Sequence, residues 1–266
     1  MNGKYARKPL KKYEKPEMQP KSGTYVIGRN AVSELLKSGR DIDKLYIKKG
    51  ERTGSITVIA SEAIRRGITI VEVENSKLDF MSNGQPHQGV VASAALKDYS
   101  SVDDMLNLAA ERGEKPLIVI ADGIEDPQNL GALIRAAECS GAHGVIIPKR
   151  RAVGLTETVG RASAGAIEHV PVAKVTNLSQ TIDELKDKGL WIFAAEAGGN
   201  EFYNTDMTCS AAVILGSEGF GVSKLLKDKS DFIISIPMYG KVNSLNVSSA
   251  AAVVLCEAAR QRNVSR

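Results

Sequence analysis

Six apolar runs from residue 117 onward restrict the fold more than any other feature: LIVIAD (117–122), GVIIP (144–148), VPVAKV (170–175), WIFAAEA (191–197), AAVILG (211–216) and DFIISIP (231–237). None alternates apolar with polar residues, as a strand with one wet face would. Between them lie stretches with helical spacing, such as LGALIRAAECSG, SQTIDELKDKG and VSKLLKDK, with a further helix expected around Thr156 to Ala166. Apolar runs divided by helices specify an α/β fold with a parallel sheet buried on both faces. Such sheets bind ligands beyond the C-terminal ends of their strands. The loops after Ile120, Leu215 and Ile236 are therefore the expected site.

Upstream, a second α/β alternation fills residues 25 to 96. YVIGRNAVSELLKSG reads as a strand, a turn and a helix; DKLYIKK, ITIVEVE and GVVASAAL read as strands, and ITVIASEAIRRG and SKLDFMS as helices. The chain thus divides into a tail (1–22), a small domain (23–97), a linker with a first helix SVDDMLNLAAERG (98–115), and a larger domain (116–266).

Charge is uneven. The formal net charge is +4, yet residues 1–22 hold seven Lys or Arg against two Glu, which leaves −1 for the rest. A basic, proline-containing tail with few aliphatic residues cannot bury enough surface to fold alone, and suits either plain solvation or a nonspecific hold on phosphates. Cys139, Cys209 and Cys256 lie far apart, which argues against a disulfide framework or a zinc site and for a reducing compartment. The three histidines are equally dispersed, so no metal cluster is read. No segment reaches the roughly 18 apolar residues of a membrane span; a cytoplasmic protein without a membrane partner is expected.

Three loops could carry chemistry. In DPQNLGALIRAAE (126–138), Asn129 lies near a helix start, where it could cap the helix, and Arg135 lies nearly two turns on among apolar neighbours. A guanidinium so placed calls for a partner such as phosphate. In ILGSEGFGVS (214–223) the glycines run G-x-x-G-x-G, which is not the dinucleotide fingerprint, and no GxxxxGK[ST] occurs in the chain. They would allow a ligand close to the backbone, with Glu218 adding a carboxylate. In IPMYGKVNSLNVSSAAAVVLCEA (236–258), Asn246 or Ser248 can cap the last helix, and the amides and hydroxyls left over must serve a ligand, a neighbouring loop or a second chain.

NLGALIRAAECSG (129–141), ILGSEGFGVS and the 236–258 segment, in that order, resemble the three motifs of the SpoU/TrmH family of RNA 2'-O-ribose methyltransferases, within the SPOUT superfamily. Residues 24 to about 96, including GRNAV and HQGVVA, resemble that family's L30e-like RNA-binding domain. The arrangement is most similar to bacterial enzymes that methylate a guanosine ribose of 23S rRNA.

This resemblance implies a trefoil-knotted methyltransferase domain, an obligate homodimer with its active site completed across the interface, and S-adenosylmethionine as methyl donor without a metal. It implies catalytic roles for Asn129, Arg135, Glu218 and Asn246, and cofactor contacts at Gly216, Ile236 and Leu245 with Met238 nearby. Arg29, Lys48, Lys49, Arg52, Arg65 and Arg66 would grip structured RNA, such as 23S rRNA or a ribosome assembly intermediate. The alternatives are another rRNA nucleotide or tRNA as substrate, or an RNA-binding assembly factor that keeps the fold with little catalysis.

Overall fold

The computed structural model describes residues 25–50 and 54–264. The expectations for the basic tail and for Arg52 lie outside the described residues.

The first unit runs β1 (Tyr25–Ile27), α1 (Arg29–Lys37), β2 (Ile42–Lys48), α2 (Ser55–Arg65), β3 (Thr69–Val73), α3 (Asn75–Met81) and β4 (Val90–Ala94). Its sheet has the order β1-β4-β2-β3, with β2 and β3 parallel and β4 antiparallel to both of its neighbours. Val32, Leu35 and Leu36 of α1 and Ile56 and Ile59 of α2 form one apolar stripe each and bury against Leu45, Ile47 and Val90. Leu78 and Met81 of α3 cover the other face at Val91.

The second unit begins with α4 (Val102–Glu111), closed by a capping box in which Ser101 and Asp104 each bond the other's backbone N–H. Then follow β5 (Leu117–Asp122), α5 (Pro127–Cys139), β6 (Gly144–Pro148), α6 (Glu157–Ala162), β7 (Val172–Val175), α7 (Leu178–Asp187), β8 (Trp191–Glu201), β9 (Ala211–Gly216), α8 (Lys224–Lys229), β10 (Phe232–Ser235) and α9 (Val247–Val264). All six strands are parallel, in the order β10-β8-β9-β5-β6-β7. The missing alternation is explained by burial on both sides. Leu117, Val119 and Ala121 pack toward α5 and α9, while Ile118 and Ile120 pack with Met105 of α4 and with Ile182 and Leu185 of α7.

Two expectations need correction. The helix around Thr156 to Ala166 stops at Ala162, because Ala164 (φ 50°) and Gly165 (φ 91°) turn left-handed before a single tight turn at Ala166–Glu168. The WIFAAEA strand runs on to Glu201 through a bulge, since its pairing with β10 jumps from Ala194 to Asn200 between Ile233 and Ile234.

The two units meet through a buried polar cluster. Asp43 of β2, 3% exposed, takes Lys174 of β7 at 2.6 Å and the Tyr99 hydroxyl on the same oxygen. Tyr99 in turn accepts the Leu155 N–H at 3.0 Å, and Leu96 N–H bonds Leu155 O at 2.7 Å.

At the opposite end of the large sheet, His143 is 1% exposed and accepts the Leu117 N–H at Nδ1 (3.0 Å). The ring proton therefore sits on Nε2, which donates to Glu114 (3.1 Å). Burial pushes the His143 pKa down, with Glu114 only partly opposing it. A depressed His pKa means that the unfolded chain binds the extra proton, so this contribution is complete above about pH 6.5 and is lost as pH falls through that value toward the folded pKa. The melting temperature of the wild type should therefore fall more steeply than that of His143→Asn between about pH 7.5 and 5.5. Parallel slopes would refute the assignment.

Candidate active site

At the centre of the large sheet the connections reverse direction: β5 leads to β6 on one side, while β9 lies on its other side. That crevice is the switch point of a doubly wound sheet. It opens into a cavity of about 510 Å³, lined among others by Asp122, Asn129, Arg151, Ser217, Glu218 and Val247.

Asn129 enters from α5. It is not the helix cap, which corrects one of the two sequence readings. Asp126 caps instead, accepting the N–H groups of Gln128 (2.8 Å) and Asn129 (3.0 Å), with Pro127 at the first helical position, where no donor is missed. The Asn129 side chain is thereby left for another partner.

Glu218 enters from the glycine loop after β9. Gly219 (φ 86°) and Gly221 (φ 65°) take left-handed conformations, and Gly221 N–H bonds Ser217 O at 2.9 Å, so the loop folds back on its strand. A Cβ at Gly216 would collide with the Gly221 and Val222 backbone, so only glycine fits there. Two carboxylates anchor the far side: Glu196 accepts the Val222 N–H (2.9 Å) and Asp122 the Ser223 N–H (2.8 Å). Glu196 lies within the β8 bulge, which aims it at the loop.

Asn246 closes the arrangement. Its Oδ1 caps α9, accepting the N–H groups of Ser248 (2.9 Å) and Ser249 (3.4 Å), and this settles the choice between Asn246 and Ser248. Its Nδ2 donates to Asn129 Oδ1 at 2.9 Å and to Glu218 Oε1. One carboxamide thus ties the ends of three loops that lie 117 and 28 residues away in sequence. No hydrogen bond among the described residues uses Asn129 Nδ2 or Glu218 Oε2, so both can meet a ligand.

The other expected residues are placed differently. Arg135 is exposed on α5 and makes no hydrogen bond or ion pair among the described residues. Six residues of α-helix separate it from Asn129 by about 9 Å along the axis and about 120° around it, so the two do not share a face. Ile236 packs partly on the core and Met238 is half-buried, while Leu245 is exposed; none of the three lines the cavity. Among the described residues no group of three His, Cys, Asp or Glu is placed to hold a metal, and no helix is long and apolar enough to cross a membrane.

The basic residues of the first unit also separate. Arg29 and Lys48 line one cleft of about 540 Å³ with Asn30, Asn75 and Gln88. Gln88, itself at φ 52°, holds Arg29 through its side-chain and main-chain oxygens (3.1 and 2.9 Å). Lys49 pairs with Glu74 at 3.5 Å. Arg65 and Arg66 both bond Glu62, and these contacts, Arg65 first, draw the Glu62 pKa down to about 2.

Asp122, Glu196 and Arg151 escaped the sequence reading. The first two end apolar runs and the third ends a Lys149-Arg150-Arg151 triple, but nothing local distinguishes them from surface charges.

Residues 116–256 match the family model described as the SpoU rRNA methylase family, and residues 25–100 match the one for RNA 2'-O ribose methyltransferase substrate binding. YacO of Bacillus subtilis (strain 168), placed by its name in the TrmH family of tRNA/rRNA methyltransferases, is 49% identical over 90% of this chain and 96% of its own. A relative with the same family name from Staphylococcus aureus (strain MSSA476) is 47% identical over 90% of this chain and 97% of its own. The crystal structure of the SpoU methyltransferase AviRb from Streptomyces viridochromogenes, in complex with AdoMet, shares the fold: TM-score 0.58, 24% identity, 90% of each chain covered.

Proposed function

The chain belongs to the SpoU rRNA methylase family, and from that premise we propose that it transfers a methyl group from S-adenosylmethionine to a ribose 2'-hydroxyl of structured RNA, with a 23S rRNA guanosine as target. The observation that carries this reading is the Asn129–Asn246–Glu218 network at the switch point of the parallel sheet.

The residues present suit the cofactor. The cavity is of ligand size, and the close backbone contact of Gly216 with Gly221 lies beside the Ser217, Glu218 and Gly221 that line it. Gly216, Ile236, Met238 and Leu245 would hold it. When bound, S-adenosylmethionine supplies an activated methyl group. The protein's share is then mainly alignment of the ribose hydroxyl. Asn129 Nδ2 orients the ribose, and Asn246, bonded to both Asn129 Oδ1 and Glu218, holds the two in register. A guanidinium is a poor base because its pKa exceeds about 12; Arg135 serves as a cation that binds the adjacent phosphate and stabilises developing alkoxide charge.

The position of Arg135, away from Asn129 within one chain, favours a homodimer in which Arg135 of the partner subunit completes the site. Phe220 (93% exposed) and Tyr239 (91%), on two of the motif loops, are large apolar groups that a second copy would cover. The knot belongs to the same proposal: residues 236–246 carry the chain from β10 at the sheet edge back to α9, which packs on α5. Mixing Arg135→Ala with Asn246→Ala subunits should restore part of the activity that each variant lacks alone; a mixture as inactive as its components would refute completion across subunits.

The target is tested by mapping 2'-O-methyl marks on RNA from a deletion strain and its complement. A mark lost and regained in 23S rRNA is the expected result. A mark in tRNA, which the relatives' names also allow, would move the substrate; no lost mark in any RNA would overturn the assignment.

A further inference from the structure

The cavity beside Asn129 is a poor place for RNA as its carboxylates stand. Asp122, Glu125, Asp126 and Glu218 line it, and among the described residues Arg151 is its single lining cation. Arg135 of the same chain does not reach it. We propose that Arg151 binds a second backbone phosphate flanking the target ribose, distinct from the one assigned to the partner's Arg135; this rests on the methyltransferase reading above.

Arg151 makes no hydrogen bond or ion pair among the described residues, so no protein carboxylate neutralises it. Its backbone sits at φ 57°, a conformation that costs a non-glycine residue energy and that glycine would take freely. An arginine thus occupies a position where the backbone alone favours glycine. Guanidinium is also the side chain best matched to phosphate, through paired N–H donors.

The loop bearing Arg151 is one of the parts of the second unit that the first unit contacts. Thr69 donates to Lys149 O (3.4 Å), Lys44 to Ala152 O (3.4 Å), and Leu96 N–H to Leu155 O (2.7 Å). A Cβ on Gly154 would strike Asp43, so the loop and β2 are in close contact. The same segment thus meets the substrate-binding unit along its length and presents Arg151 to the cavity. It sets where RNA held by the first unit delivers its ribose.

The test is Arg151→Gly, with Arg151→Lys beside it, assayed by label transfer from tritiated S-adenosylmethionine to total RNA of the deletion strain. With glycine, KM for RNA should rise about tenfold to a hundredfold with kcat little changed, as expected for loss of a charge-assisted contact made equally in ground and transition states. The salt slope of RNA binding should fall by about one. Lysine should recover part of the affinity as a point charge. Cofactor affinity, by calorimetry, should stay within about twofold, and the melting temperature should hold or rise, since glycine relieves the strained backbone. An unchanged KM would overturn the proposal, as would a parallel loss of cofactor affinity or of thermal stability. Absence of transfer by the wild type would overturn the parent reading instead, and this inference with it.

Discussion

Asn246→Asp is expected to leave the protein folded and nearly inactive. Aspartate caps a helix about as well as asparagine, so the N–H groups of Ser248 and Ser249 keep their acceptor and stability changes by less than about 1 kcal/mol. The donor is what disappears. Asn246 Nδ2 is the group that binds both Asn129 Oδ1 and Glu218. A carboxylate there faces Glu218 with like charge and pushes the two loops apart. Loss of one positioned polar group at a reacting centre costs about a hundredfold to a thousandfold in kcat. Asn246→Ala should lose as much activity and also about 1 kcal/mol of stability, because it removes the cap as well. In the pair Asn246→Asp with Glu218→Gln, a donor returns from the other side, and part of the activity should come back. Turnover of Asn246→Asp within about tenfold of wild type would sink the network's role.

The second large effect is structural. Asp43→Ala should destabilise the junction between the two units by about 3–5 kcal/mol, because it strips a buried ion pair of one partner. Lys174, 12% exposed at its side chain, would keep its charge with no counterion, and Tyr99 would lose its acceptor. Burial, with Asp43 second, already drives the Tyr99 pKa far above that of a free tyrosine, so the phenol stays a donor throughout the physiological range. At about 2–4 °C per kcal/mol for a chain of this size, the first thermal transition should drop by roughly 10 °C. Removing the stranded charge as well, in Asp43→Ala with Lys174→Met, should recover much of the loss. A drop below about 3 °C for Asp43→Ala would show that water, rather than Asp43, solvates Lys174.

Much of this was legible along the chain. The non-alternating runs mark strands wet on neither face, and the order of helices and strands follows from them. The glycines of ILGSEGFGVS announce a close backbone approach, which Gly216 against Gly221 makes. The last helix needed a cap from Asn246 or Ser248, and local reading could not choose, because both have side chains able to do it. Asn129 read as a cap for a local reason, yet Asp126, three residues earlier, takes that place.

What the sequence by itself determined is the set of elements and the three loops that matter, since periodicity, breakers and motif order are properties of neighbours along the chain. What only the tertiary structure decided is which side chains of those loops meet. β10 pairs at the sheet edge while α9 returns to α5, and that return brings Asn246 to residues 117 and 28 positions away. The β8 bulge turns Glu196 onto the glycine loop, and the 149–155 loop, which the first unit contacts, carries Arg151 at the cavity. Such meetings depend on strand order and on a backbone angle at one residue, and neither leaves a periodic trace in the sequence.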